Sequence, residues 1–251
     1  MTVSVTPDVI YAFMLIVVRI AAMLMVMPAL GESSIPSRIR ISLALALALI
    51  LYPAVASGIS PPTGLAGLVG GVGFEIAIGI FIGGIARLLL SAAQVAGAVI
   101  AYQMGLAFAQ SVDPAQGVQS ALLSSFLSVV AVTLIFALDL HHLLIAALVD
   151  SYTIFKPGGD LPTSEFATLA VDVVARSFTV ATQLAAPFLV FGIVFYVGLG
   201  ILSRLMPQVQ IFFVAMPANI FLGLIIMMLT MSSIGFWFAD HFARSLDPML
   251  L

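Results

Sequence analysis

The run Leu202-Ser-Arg-Leu-Met-Pro-Gln-Val-Gln-Ile-Phe-Phe-Val-Ala-Met-Pro-Ala-Asn-Ile-Phe-Leu-Gly223 decides the fold class. Arg204 and the pair Pro207-Gln208 stand between two long apolar stretches, with Phe212 and Pro217 on the far side. The segment reads as a short, polar, stiff corner joining two membrane-type helices. Working outward, the 251 residues are 63% hydrophobic and 8% charged, against about 25% charged in an average soluble domain. So few charges cannot cover a water-soluble surface. Several apolar runs also reach the roughly 20 residues that cross a bilayer core. The expected fold is all-α: a polytopic membrane protein of kinked helical hairpins with one re-entrant or partly inserted segment. It is expected to form a single unit over 1–251, with an N-terminal helical part of about 1–155 and a C-terminal hairpin of about 166–251.

The absence of cysteine rules out disulfides and thiolate metal sites. A net charge of −3 supplies no basic patch for nucleic acid. The three histidines, His141, His142 and His241, form no trusted metal-ligand spacing, and neither a cofactor nor a metal is expected. There is no Gly-x-Ser-x-Gly, phosphate loop or His-Glu-x-x-His, so no enzyme is expected. Met1–Asp8 carries no Lys or Arg, so the first apolar run is expected to be a retained helix rather than a cleaved signal.

The apolar runs are Val9–Leu30, Ile41–Ala56, Leu65–Leu90, Val118–Leu138 resuming at Leu143–Val149, Phe166–Leu202 and Gln208–Met231. Pro187 is expected to kink the longest of them. Arg38, Arg40, Arg87 and Arg204 favour the cytoplasmic side for their corners, while the acidic loop Asp150–Glu165 falls outside. With both termini outside, the crossings alternate except in the middle. The repair expected from sequence is that Ser91–Gln119 is re-entrant, which requires protein or water around its broken backbone.

Charges inside apolar runs are expensive in lipid and need partners. Arg19, Glu75, Asp172 and Arg176 are the buried-charge candidates. Asp172 and Arg176 lie four apart, the spacing of a pair on one helix face. Arg19 with Glu75 is a candidate helix–helix pair, with contact to partner subunits as the other reading. A proton relay through Glu75, Asp139, His141 and His142 is the sharper alternative, but the groups are few and scattered, and Asp139-Leu-His-His142 reads as a helix end. Gly79/Gly83 and Gly97/Ala101/Gly105 form small-residue stripes that admit close helix packing. Phe108 beside the Asp113-Pro114 loop reads either as a constriction that excludes water or as a buried anchor.

Two blocks carry a resemblance. Arg204, Met206, Pro207, Gln208, Ile211, Phe212, Pro217 and Gly223 form one, and Gln103-Met-Gly-Leu-Ala-Phe108 with Val112-Asp-Pro114 forms the other. Together with Arg19, Met27-Pro28 and Ile35-Pro36, they resemble the FliR family of flagellar type III export-gate subunits over essentially the whole chain. Injectisome homologues share the architecture, though Pro207-Gln208 and Pro217 look more flagellar. The resemblance implies a bacterial inner-membrane protein of the flagellar basal body. Its partners would be FliP-like and FliQ-like gate subunits, with FlhB-like and FlhA-like export components nearby. Its cargo would be unfolded export substrates, in contact with membrane lipid and without covalent chemistry. The resemblance also implies a plug loop over Gly105–Ser120, whose marked residues here are Met104, Gly105, Phe108, Ser111, Asp113, Pro114 and Gly117. The competing class is a secondary transporter of a small solute, which calls for inverted halves and coupling acids.

Overall fold

The computed structural model describes residues 6–32, 35–56, 59, 61–62, 64–106, 119–157, 163–206 and 211–246. Among these the secondary structure is helical, without a strand. The helices are α1 (Pro7–Val26), α2 (Ser37–Val55), α3 (Leu65–Gln103), α4 (Gln119–Ala137), α5 (His141–Ile154), α6 (Thr163–Leu205) and α7 (Ile211–Leu246). Local chemistry sets several ends. Pro7 opens α1 with Asp8 in its first turn, where a missing N–H and a negative charge both suit a helix start. Met27, which precedes Pro28, leaves the helical region at φ −54° and ψ 138° and closes α1. The Leu/Ala alternation of residues 41–50 folds as helix within α2, because the neighbouring apolar length leaves no sheet for it to join.

Five of these helices are long and apolar enough to cross a membrane, and α4 with α5 forms a further apolar pair bent by 70°. The chain is therefore a polytopic helical membrane protein. At 39 and 43 residues, α3 and α6 are about 58 and 65 Å long, roughly twice a bilayer's hydrocarbon core. α6 runs as one helix through Pro187.

The segment Ser91–Gln119, expected to be re-entrant or partly inserted, is helical in its first part and leaves the helix after Gln103. Residues 91–103 continue α3 without interruption. No proline stands between them, and Gly97 is retained for packing: a Cβ there would lie 2.6 Å from Ser124 Cα on α4. The remainder of that segment, 107–118, lies outside the described residues. A sharp bend sits at Leu138–Leu140, where Asp139 takes φ +57°. Counting the bent α4–α5 pair as one span gives six crossings. Six is an even number, as both termini on one side require, although Arg87, expected at a corner, lies inside α3.

The chain forms two compact units. The first comprises Met1–Leu88, Asp139–Val173 and Ala243–Leu251. In it α1 and α3 run parallel, because contacts climb both helices together. Gly71 faces Tyr11, Gly79 faces Arg19 and Ala22, and Gly83 faces Met23 and Val26. α2 lies beside α1, with Phe13 and Tyr52 edge to face at 6.2 Å. The second unit comprises Leu89–Leu138 and Val174–Phe242. Its core holds Ala93, Leu127, Ala131, Leu184, Phe188 and Phe238, all buried.

Candidate functional site

Arg19 is the largest fully buried side chain, and every polar arm of it is engaged. Its Nε donates to Glu75 Oε2 at 2.5 Å and its Nη2 to Glu75 Oε1 at 3.2 Å. Nη1 donates to Ser151 Oγ at 3.0 Å, and Nη2 also reaches the Phe155 carbonyl at 2.9 Å. The guanidinium lies 3.9 Å over the Tyr152 ring, a cation–π contact. One charge thus ties α1 to α3 and α5. Glu75, Gly79 and Gly83 recur every four residues on α3, so the glycines bring the helices close enough for the fork of Arg19 to meet the carboxylate. Arg19 and Glu75 pair inside one unit, and both carboxylate oxygens of Glu75 accept from the same guanidinium. Ser151, Tyr152 and Phe155 were not legible as partners, since more than a hundred residues separate them from Arg19.

Asp172 and Arg176 differ from the reading as buried charges. Both are exposed on α6. The buried ridge runs one position later, through Val173, Ser177 and Ala181. A charge within an apolar run is buried only when the helix face carries it inward. At the bend, Asp139, His141 and His142 offer donor atoms within 4.8 Å of one another, a spacing that three ligands of one cation could share. Asp139 and His142 are mostly exposed and already face each other at 3.8 Å.

The gate-loop residues divide. Phe108, Ser111, Asp113, Pro114 and Gly117 lie outside the described residues, whereas Met104 and Gly105 form the root from which that segment leaves α3. Met104 is fully buried, and Gly105 takes φ +76°. The carbonyl of Gln103, the last residue of α3, accepts a hydrogen bond from Asn219 Nδ2 of α7 at 3.2 Å. Asn219 was quoted in the opening run without a role. A lone amide amid apolar residues just after Pro217 was the available signal. Beside this root lies a cavity of about 400 Å³.

At the opening corner, Pro207 and Gln208 lie outside the described residues, Phe212 is in the first turn of α7, and Pro217 is inside that helix. Arg204 is in the last turn of α6 and exposed. At the first corner Arg40 Nη2 donates to the Glu32 and Ile35 carbonyls, each at 2.8 Å.

A family model described as "Bacterial export proteins, family 1" matches residues 10–245. The chain is 44% identical to the flagellar biosynthetic protein FliR of Caulobacter vibrioides over 239 residues, 95% of each chain. It is 30% identical to the protein of the same name from Escherichia coli over 233 residues, 92% of this chain and 88% of that one. The Yop proteins translocation protein T of Yersinia pestis is 26% identical over 208 residues, 82% of this chain and 80% of that one.

Proposed function

The chain belongs to the bacterial export proteins, family 1, and we propose that it serves as a subunit of the flagellar type III protein export gate in the bacterial cytoplasmic membrane. The observation that carries this reading is the 44% identity with a flagellar relative across 95% of both chains. The more distant match to a Yop translocation protein favours the flagellar branch over the injectisome. In this reading FliP-like and FliQ-like subunits surround the chain, FlhB-like and FlhA-like components lie nearby, and unfolded axial proteins pass through the channel. The segment that begins at Met104–Gly105 and includes Phe108, Ser111, Asp113, Pro114 and Gly117 closes that channel. The corner at Arg204, Pro207 and Gln208 serves assembly.

Exposed apolar surface supports the need for partners. α2 buries only Ala44 and Ala48 and leaves Leu45, Leu49 and Ile50 exposed. Such surface must be covered by lipid or by neighbouring helices, because in water it is costly. α3 and α6 exceed the hydrocarbon core, so parts of them extend beyond it. The test is co-expression with the FliP-like and FliQ-like subunits, followed by mass measurement of the purified particle. A large mixed particle, with heterogeneous material when the chain is expressed alone, is the expected result. A well-behaved isolated monomer that ignores those subunits would overturn the reading.

A further inference from the structure

We propose that Asp139, His141 and His142 form a binding site for a divalent transition-metal ion of the zinc class, at the turn that opens α5. The site stands independently of the export role. Spacing alone argues against a metal here. On a continuous helix, residues 139 and 141 would point roughly 200° apart and could not meet on one ion. The turn changes this. Asp139 takes φ +57°, a left-handed conformation that aspartate tolerates better than most residues. The chain then enters α5 through Leu140. The N–H of His142 donates to the Asp139 carbonyl at 3.0 Å, and that of Leu143 to the Leu140 carbonyl at 3.1 Å. The Asp139 side chain is thereby brought beside the first turn of α5, where both histidines begin the helix.

The three donors converge. One ligand atom from each residue lies within 4.8 Å of the other two. Asp139 Oδ1 and His142 Nδ1 are 3.8 Å apart, and the rings of His141 and His142 lie 4.2 Å apart, tilted by 36°. Bonds from zinc to nitrogen or oxygen run about 2.0–2.2 Å, so two donors on one ion stand roughly 2.9–4.1 Å apart. The Asp139–His142 pair already falls in that range. At 3.8 Å it is also too long for a hydrogen bond, so no direct bond between the two has to be broken. Any wider separation exceeds the range by less than about 1 Å. The side chains of Asp139 and His142 are 76% and 67% exposed and have room to close it by rotation, while His141 is half-buried and holds its place.

The donor set selects the ion. Two imidazoles and one carboxylate suit zinc, nickel or copper, whereas magnesium and calcium call for oxygen donors throughout. Three protein ligands leave at least one coordination position for water. The N-terminus of a helix disfavours a cation, but only weakly at an exposed site, and the Asp139 carboxylate in direct contact outweighs it. The consequence falls on α5. Its far end is held by Arg19, which donates to Ser151 Oγ and to the Phe155 carbonyl. A bound ion would fasten the opposite end by tying Asp139 to the first two residues of the helix. The helix would then have one anchor built of side chains and a second that depends on metal supply.

The test uses the full chain, purified from membranes with whatever subunits it retains and with any histidine tag removed. Cobalt is titrated in as the probe and read by its visible absorption, and zinc is then used to displace it. The expected result is one ion per chain, released by zinc and unaffected by a large excess of magnesium. His142→Gln removes one donor at a mostly exposed position, so yield should hold while affinity falls about tenfold or more. Asp139→Asn keeps a residue that accepts the left-handed turn, and should also weaken binding. No binding by the wild-type chain, or the same affinity and stoichiometry in His142→Gln, overturns the proposal. If His142→Gln lowers the yield, His142→Cys decides. The chain has no cysteine of its own, so a new thiolate-to-cobalt charge-transfer band arises only if position 142 touches the ion. That band supports the site, and cobalt binding by His142→Cys without it overturns the proposal.

Discussion

The Arg19–Glu75 node and the root of the 107–118 segment solve a similar problem in opposite ways. Each fixes a backbone within a largely apolar molecule through a polar side chain from another helix. At the node, one guanidinium makes four hydrogen bonds and a ring contact, and its charge is matched by a buried carboxylate. At the root, a single neutral amide makes one well-formed bond, its acceptor has no partner among the described residues, and the residue lines a cavity. Breaking the first strands a charge in a dry interior. Breaking the second removes one ordinary hydrogen bond. The two contacts differ in how many partners a single substitution would remove at once.

The largest expected effect belongs to the node. Arg19→Met leaves Glu75 buried without its partner and should lower stability by about 3–5 kcal/mol, seen as lost particle yield or a fall in melting temperature. Adding Glu75→Leu should recover most of that loss, since a buried pair can often be replaced by apolar groups. If the double variant is as damaged as the single one, the charges do more than anchor.

Next in size is the glycine ridge that lets the node form. Gly79→Val would drive a side chain against the Arg19 carbonyl and Ala22 and should cost about 1–3 kcal/mol by overpacking. Thermal unfolding of the purified gate checks this, and an unchanged melting point would refute the close α1–α3 approach.

A smaller, local cost is expected at the root. Gly105→Ala forces an alanine into the left-handed region at about 1–2 kcal/mol. The particle should assemble and leak, rather than fail to assemble. Arg204→Ala should change the chain's own stability least, within about 0.5 kcal/mol, because the side chain is exposed. It should nevertheless reduce recovery of the mixed particle in co-purification, and a normal recovery would remove the corner from the assembly surface.

Much of the first unit was readable before any coordinates. Glu75, Gly79 and Gly83 share a spacing of four, and a charge beside a glycine stripe marks a close helix contact. Asp139 followed by two histidines marked the end of an apolar run, and α4 stops there. The continuity of α3 was less visible, because Gln94, Tyr102 and Gln103 lower the apolar character of residues 91–103 without supplying a breaker. Helix propensity and packing against Ser124 decide there, not hydropathy. The exposure of Asp172 and Arg176 could not be read because their ridge differs by one residue from the buried one. Only tertiary contact selects between neighbouring ridges. Asn219 was hidden for a similar reason: its partner is a main-chain carbonyl, which leaves no trace in side-chain chemistry.

The proposal that residues 107–118 close the channel is tested most directly by the conductance of membranes carrying the assembled gate with those residues shortened. The expected result is a particle of normal yield that leaks ions or small solutes above the wild-type level. A shortened gate that assembles and remains as tight as wild type would contradict it, and would make this segment packing against a neighbouring subunit.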